Sequence, residues 1–131
     1  MKTDGEAVLN RKFIEMMKLL NIYLNHFPRH EKYALANTIR NTAYTLYDLI
    51  TECQKRYYKK TSLTELDVTH EKLRMQVYVA NELGYFEFKD GKQSSSVNSA
   101  KRFMSIMKLI DEMGRMIGGW INKLKEIGNF R

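Results

Sequence analysis

The chain has 131 residues, 44% of them hydrophobic, which is enough for one domain with a buried core and too little for two. A single cysteine, Cys53, excludes an intrachain disulfide and an all-thiolate metal site, and it suits a reducing, cytoplasmic setting. The net charge is +7, and it is uneven: residues 1–60 hold 11 Lys/Arg against 6 Asp/Glu, and residues 61–131 hold 11 against 9.

No stretch approaches the ~18 consecutive apolar residues of a membrane span. Met1–Glu6 lacks the apolar core of a signal peptide. The expectation is a single cytoplasmic domain, 1–131, with no membrane partner. The basic surplus favours a polyanion such as nucleic acid.

In chain order, the apolar positions form four runs spaced by threes and fours. The first is Leu9, Phe13, Met16, Leu20, Tyr23 and Phe27. The second runs Ala36, Ile39, Ala43, Leu46, Ile50, Cys53 and Tyr57. The third is Leu66, His70, Leu73, Val77 and Ala80, and the fourth begins at Phe103 and continues through Ile110, Ile117 and Trp120 to Ile127. Each run places one apolar stripe on one helical face.

Helices are therefore expected at about 7–25, 28–58, 63–83 and 97–126. Pro28 suits a first helical turn, so the second helix would run roughly 45 Å at 1.5 Å per residue. Ser62-Leu63-Thr64-Glu65 has the spacing of a capping box opening the third helix. Gly84 stands where a C-terminal cap would end it. Residues 85–96 lose the pattern: Tyr85–Phe88 reads as a short extended piece, Asp90-Gly91 as a turn and Gln93–Ser96 as a mobile loop. The fold class is all-α, an antiparallel up-down four-helix bundle.

Catalytic patterns are scarce. Asp67 lies three residues before His70, but bundle metal sites use two Glu-x-x-His pairs plus two further Glu, and no second pair exists here. His70 reads as a core or boundary histidine, Cys53 as a small buried hydrophobe, and His26 and His30 as loop and first-turn residues. No phosphate-cradling loop or nucleophile elbow occurs. The expectation is no enzyme, no cofactor and no metal.

The segment "QKRYYKK", residues 54–60, sets Lys55, Arg56, Lys59 and Lys60 around Tyr57 and Tyr58. Cations neutralise phosphates, and aromatic faces stack on unpaired bases. The competing account is a solvated helix end, where cations suit the helix dipole, with Tyr57 continuing the core seam. Arg29, Lys32 and Arg40 extend the candidate nucleic-acid set, and Arg74, Lys101, Arg102, Lys108, Arg115, Lys123 and Lys125 are further basic positions. Asp111 and Arg115 are spaced for an i,i+4 pair.

Apolar residues beyond the seams (Met17, Leu24, Tyr44, Tyr47, Met75, Val79, Met104, Met107) favour self-association. "GRMIGGWI", residues 114–121, holds three glycines, each costing about 1 kcal/mol against alanine in a helix. Gly114 and Gly118 are four apart, which leaves a groove for a close neighbour. With Trp120 and Ile121 they are the candidates for close helix packing or oligomer contact, with the subunit interface favoured.

"FPRHEKYALANTIRNTAYTLYDLI", Phe27–Ile50, resembles the second helix of the small bundle proteins first noticed in ribosomal RNA intervening sequences. "RMQVYVANELGYF", Arg74–Phe86, and "DEMGRMIGGWI", Asp111–Ile121, are similar to one branch, the Avd accessory proteins of diversity-generating retroelements. The intervening-sequence branch carries "NIAEG" late in helix two, where this chain has "LYDLITECQKRYYKK". The resemblance implies a non-catalytic, barrel-like homopentamer of bundles with a basic surface. Its implied partners are a reverse transcriptase and the template-repeat RNA, in support of mutagenic cDNA synthesis. The alternative is an interaction bundle of the intervening-sequence type with no reverse-transcriptase partner.

Overall fold

A computed structural model describes residues 4–88 and 95–128. Four α-helices, α1 (Asp4–Asn25), α2 (Leu35–Lys55), α3 (Lys60–Glu82) and α4 (Ser95–Glu126), account for nearly all of it, and no strand occurs among the described residues. Each helix packs on its sequence neighbours and α4 closes on α1, with no close backbone approach across the diagonals among the described residues. Cross-helix pairs fix the directions as antiparallel. Gln54 donates to Asn10, and Arg40 donates to Asn21 and Asn25, so α1 and α2 run oppositely. His70 with Ile110, and Tyr78 with Phe103, do the same for α3 and α4.

The seams become the core. Met16, Leu20, Ile39, Leu46, Ile50, Leu66, Leu73, Ile106, Ile110 and Ile117 are fully buried, the result of one apolar stripe per helix turning inward. Leu24, which reads as surplus in the sequence, is also core, and Met17 and Met107 pack against it. Tyr44, Tyr47, Met75, Val79 and Met104 remain exposed.

The second helix begins at Leu35 rather than at Pro28. Pro28 precedes a single 3-10 turn, Arg29–Glu31. Tyr33 is 92% exposed, and nothing is fully buried between Phe27 and Ala36, so residues 28–34 have no inward face to drive a helix. The true start is stabilised by Glu31, whose carboxylate accepts from the Leu35 N–H at 3.0 Å, a position where a helix dipole favours negative charge.

The second helix also ends early, at Lys55. Arg56 is extended, and a four-residue connection, 56–59, leads into α3. Tyr57 therefore leaves the seam. The third helix opens at Lys60, and Ser62 lies on its buried inner face, so the expected capping box does not form.

Gly84 does cap α3. It takes φ +80°. The Tyr85 N–H donates to Ala80 O and the Gly84 N–H to Asn81 O, each at 3.0 Å, which is the paired pattern of a Schellman end. Tyr85–Phe88 is not a strand but an aromatic plug. Phe86 is fully buried, edge-on to Tyr23 and Phe27. Arg102, one of the basic positions, is buried beneath it. Its Nη1 donates to Phe86 O at 2.8 Å and Phe88 O at 2.6 Å, and its guanidinium lies 3.7 Å from the Phe88 ring centre. The turn expected at Asp90-Gly91, and Gln93 and Ser94 of the loop, lie outside the described residues; Ser95 and Ser96 are helical.

Candidate nucleic-acid interface

The turn 56–59 sits at the end of the bundle where α2 finishes and α3 starts. Tyr57 is 78% and Tyr58 58% exposed. The rings meet edge to face, with centroids 4.8 Å apart. Lys55 and Lys60 flank them in solvent. Arg56 pairs with Glu52 one turn back. Lys59 instead folds inward, and its ammonium donates to the carbonyls of Cys53 and Arg56. Those carbonyls lie at the C-terminal end of α2, which has no further helical N–H groups to bond. Lys59 also stands 5.9 Å from the Trp120 ring centre, which ties the turn to α4. It holds the platform rather than facing outward.

Burial keeps Cys53 out of any chemistry. It is fully buried, and desolvation pushes its thiol pKa up to about 12 against the smaller opposing effect of Lys59. A thiolate is the reactive form, and burial suppresses it.

The seven candidate cations do not form one patch. Lys55, Arg56, Lys59 and Lys60 gather at this end. Arg29 and Lys32 lie in the α1–α2 connection at the opposite end, roughly 30 Å away along a helix of this length. Arg40 is near them, and its guanidinium is already bonded to Asn21 and Asn25 at 3.1 and 3.0 Å.

A further basic stripe runs along the outside of α4: Lys101, Lys108 and Arg115, all exposed and seven residues apart. It borders α1, where Lys12 clasps Glu112 at 2.7 Å. The Lys12 hydrogen bond, helped by the charges of Lys108 and Arg115, holds the Glu112 carboxyl below its ordinary range. Arg115 does not pair with Asp111, which instead accepts from Arg74 of α3 at 3.1 Å. Arg11, exposed beside Lys12 on α1, is a cation that the reading by motif passes over; its position next to the α1 seam is the signal that places it.

Among the packing candidates, Gly114 answers to its own chain. A Cβ there would lie 2.7 Å from His70 Cε1. The missing side chain admits the buried imidazole, whose Nε2 lies 2.7 Å from Ile110 O, one helical turn earlier. That carbonyl can only accept, so Nε2 carries the proton. Gly118 and Gly119 have nothing within 4 Å of a Cβ. Trp120 and Ile121 are partly buried against the core. No cluster of three or more His, Cys, Asp or Glu side chains is placed to hold a metal among the described residues.

Fold and surface together define an all-helical bundle with cations at both ends and along one flank and an exposed aromatic turn. Residues 7–124 match the family model described as bAvd-like, and the chain belongs to that family. Nothing among curated proteins or solved structures matches it. No described helix is long and apolar enough to cross a membrane.

Proposed function

We propose that the chain is a non-catalytic accessory protein of the Avd type, a self-assembling cytoplasmic scaffold that holds template RNA beside a reverse transcriptase. The observation that carries the RNA part is the 56–59 turn. Two tyrosines there serve no core, stand among cations and sit on a support that Lys59 and Trp120 keep in place. Aromatic faces so placed stack on unpaired bases, while Lys55, Arg56 and Lys60 meet phosphates. The mechanism is electrostatic and geometric, with no bond made or broken by the protein. Five copies is the number that the resemblance implies.

The test is titration of fluorescent single-stranded RNA at several salt concentrations. Binding should weaken with salt at a log–log slope of about −0.7 per neutralised phosphate. Tyr57→Ala/Tyr58→Ala should lower affinity about tenfold or more, since stacking contributes roughly 1–3 kcal/mol per base. Unchanged affinity in that variant removes the turn from the interface. Salt-insensitive absence of RNA binding by the wild type, together with no reverse-transcriptase gene beside this one, favours the interaction bundle without a nucleic-acid role.

A further inference from the structure

The register of α1 against α4 is fixed by Lys12, which clasps Glu112 at 2.7 Å. The helices run oppositely, so a step back along α1 matches a step forward along α4. Val8 therefore faces Met116, and Gly5 faces Gly119. Two positions without side chains meet across one helix pair. The helices leave a pocket of about 550 Å³ there, walled by Gly5, Val8, Leu9, Met116, Gly119 and Trp120, with Glu6 and Lys123 as its charged lining. Sites for small ligands fall between about 300 and 1,000 Å³.

Gly119 weakens α4 as any helical glycine does. Unlike Gly114, it makes no room for a neighbour in its own chain, since a Cβ there meets nothing within 4 Å. What its missing side chain keeps open is this pocket. The pocket also adjoins the aromatic turn. Trp120 lines it, and the Trp120 ring centre lies 5.9 Å from the Lys59 ammonium of the turn. On the other wall, the Glu6 carbonyl accepts from Gln54 Nε2 at 3.4 Å, which joins the start of α1 to the end of α2.

We infer that the pocket takes one unpaired base of the RNA strand that the turn binds, laid on Trp120 beside the bare Gly119 backbone. The inference deepens the proposed RNA binding and rests on it. Apolar walls with one aromatic ring suit the flat face of a base. The Glu6 carboxylate can only accept hydrogen bonds, so it suits a base edge, whose N–H donors are exposed once the base is unpaired, and not a phosphate. Lys123, exposed on α4, suits the phosphate. A strand running over Tyr57 and Tyr58, with its phosphates on Lys55 and Lys60, continues past Trp120 to the mouth of the pocket.

The test uses Trp120, the chain's one tryptophan, as its own probe. Its emission, excited where tyrosine does not absorb, is followed while short single-stranded RNA is added to the full chain. A stacked base should quench it in a saturable way, and duplex RNA of the same length should not. Gly119→Leu fills the pocket without touching any other residue's space, and circular dichroism checks that it stays helical. It should lower single-strand affinity about tenfold, the effect of losing one stacked base, and leave duplex affinity unchanged. Should its helicity fall, Gly119→Ala with Met116→Trp replaces it. RNA binding that leaves Trp120 emission unchanged and is equal in the filled variant overturns the pocket while the proposed RNA binding stands. Free mononucleotides that quench as tightly as the strand overturn its continuity with the turn. Emission that changes on dilution of the protein and not with RNA assigns the pocket to a second copy and overturns the inference. A wild type that binds no RNA at all overturns the proposed function, and the base pocket with it.

Discussion

At position 114, one missing methyl group decides how two helices meet. The His70 ring occupies the space a side chain would fill and reaches the Ile110 carbonyl through it. Gly114→Ala gains about 1 kcal/mol of helix propensity. It also places a carbon 2.7 Å from a ring that is 6% exposed and cannot swing away freely. Overpacking of this kind costs about 1–3 kcal/mol, and a strained bond from His70 adds about 1 more. The variant should be less stable by about 1–3 kcal/mol in urea denaturation. Gly118→Ala meets nothing within 4 Å and should gain up to about 1 kcal/mol in the same assay. If the two changes shift the midpoint alike, the imidazole is not held by the glycine.

Among the elements, the plug at Tyr85–Phe88 is a short non-helical segment fixed by one guanidinium. Arg102→Ala would leave the carbonyls of Phe86 and Phe88 without their donor and remove a cation from the Phe88 ring, which His26 stacks at 4.4 Å. Bonds to a charged donor contribute about 1.5–3 kcal/mol, so a loss of about 2–4 kcal/mol is expected. Chymotrypsin should cut near Phe86 faster in the variant before global unfolding, and equal cutting rates would show the plug is held by Phe86 burial alone.

This element also marks where the sequence stops being informative. The four seams were legible because a 3.6-residue period is local, and Gly84 was legible because its cap is local too. Arg102 was not, since its partners are carbonyls 14 and 16 residues away. Tyr57 was misplaced because the end of α2 is set by Lys59 folding back on its carbonyls. The Pro28 signal was genuine but opened only a 3-10 turn, because no apolar position follows it in register. For the candidate site, the tract at 54–60 was visible as composition. Which of its cations face solvent, and that Arg29 and Lys32 lie at the far end, depended on the fold.

At the scale of the whole molecule, the cations occupy three separate places: the 56–59 turn, the flank of α4, and the opposite end. Each makes a different demand on a nucleic acid. The turn offers aromatic faces, which require unpaired bases. The Lys101, Lys108 and Arg115 stripe offers charge alone, with neighbours about 10 Å apart at seven residues of 1.5 Å rise, and charge alone does not distinguish single strands from duplex. On the proposed function, K101E/K108E/R115E should weaken single-stranded and duplex RNA alike and reduce the single-strand salt slope by about 2, from three phosphates at about 0.7 each. The Tyr57→Ala/Tyr58→Ala variant should weaken single strands, leave duplex binding unchanged and keep the slope. Arg29→Glu/Lys32→Glu, roughly 30 Å from the turn, should leave a short oligonucleotide unaffected and weaken only an RNA long enough to span the bundle. Filter binding across a salt series reads all three, with single-stranded and duplex RNA for the first two and a short and a long RNA for the third. A stripe reversal that spares duplex RNA, or a tyrosine variant that changes the slope, would assign stacking and charge to the wrong surfaces.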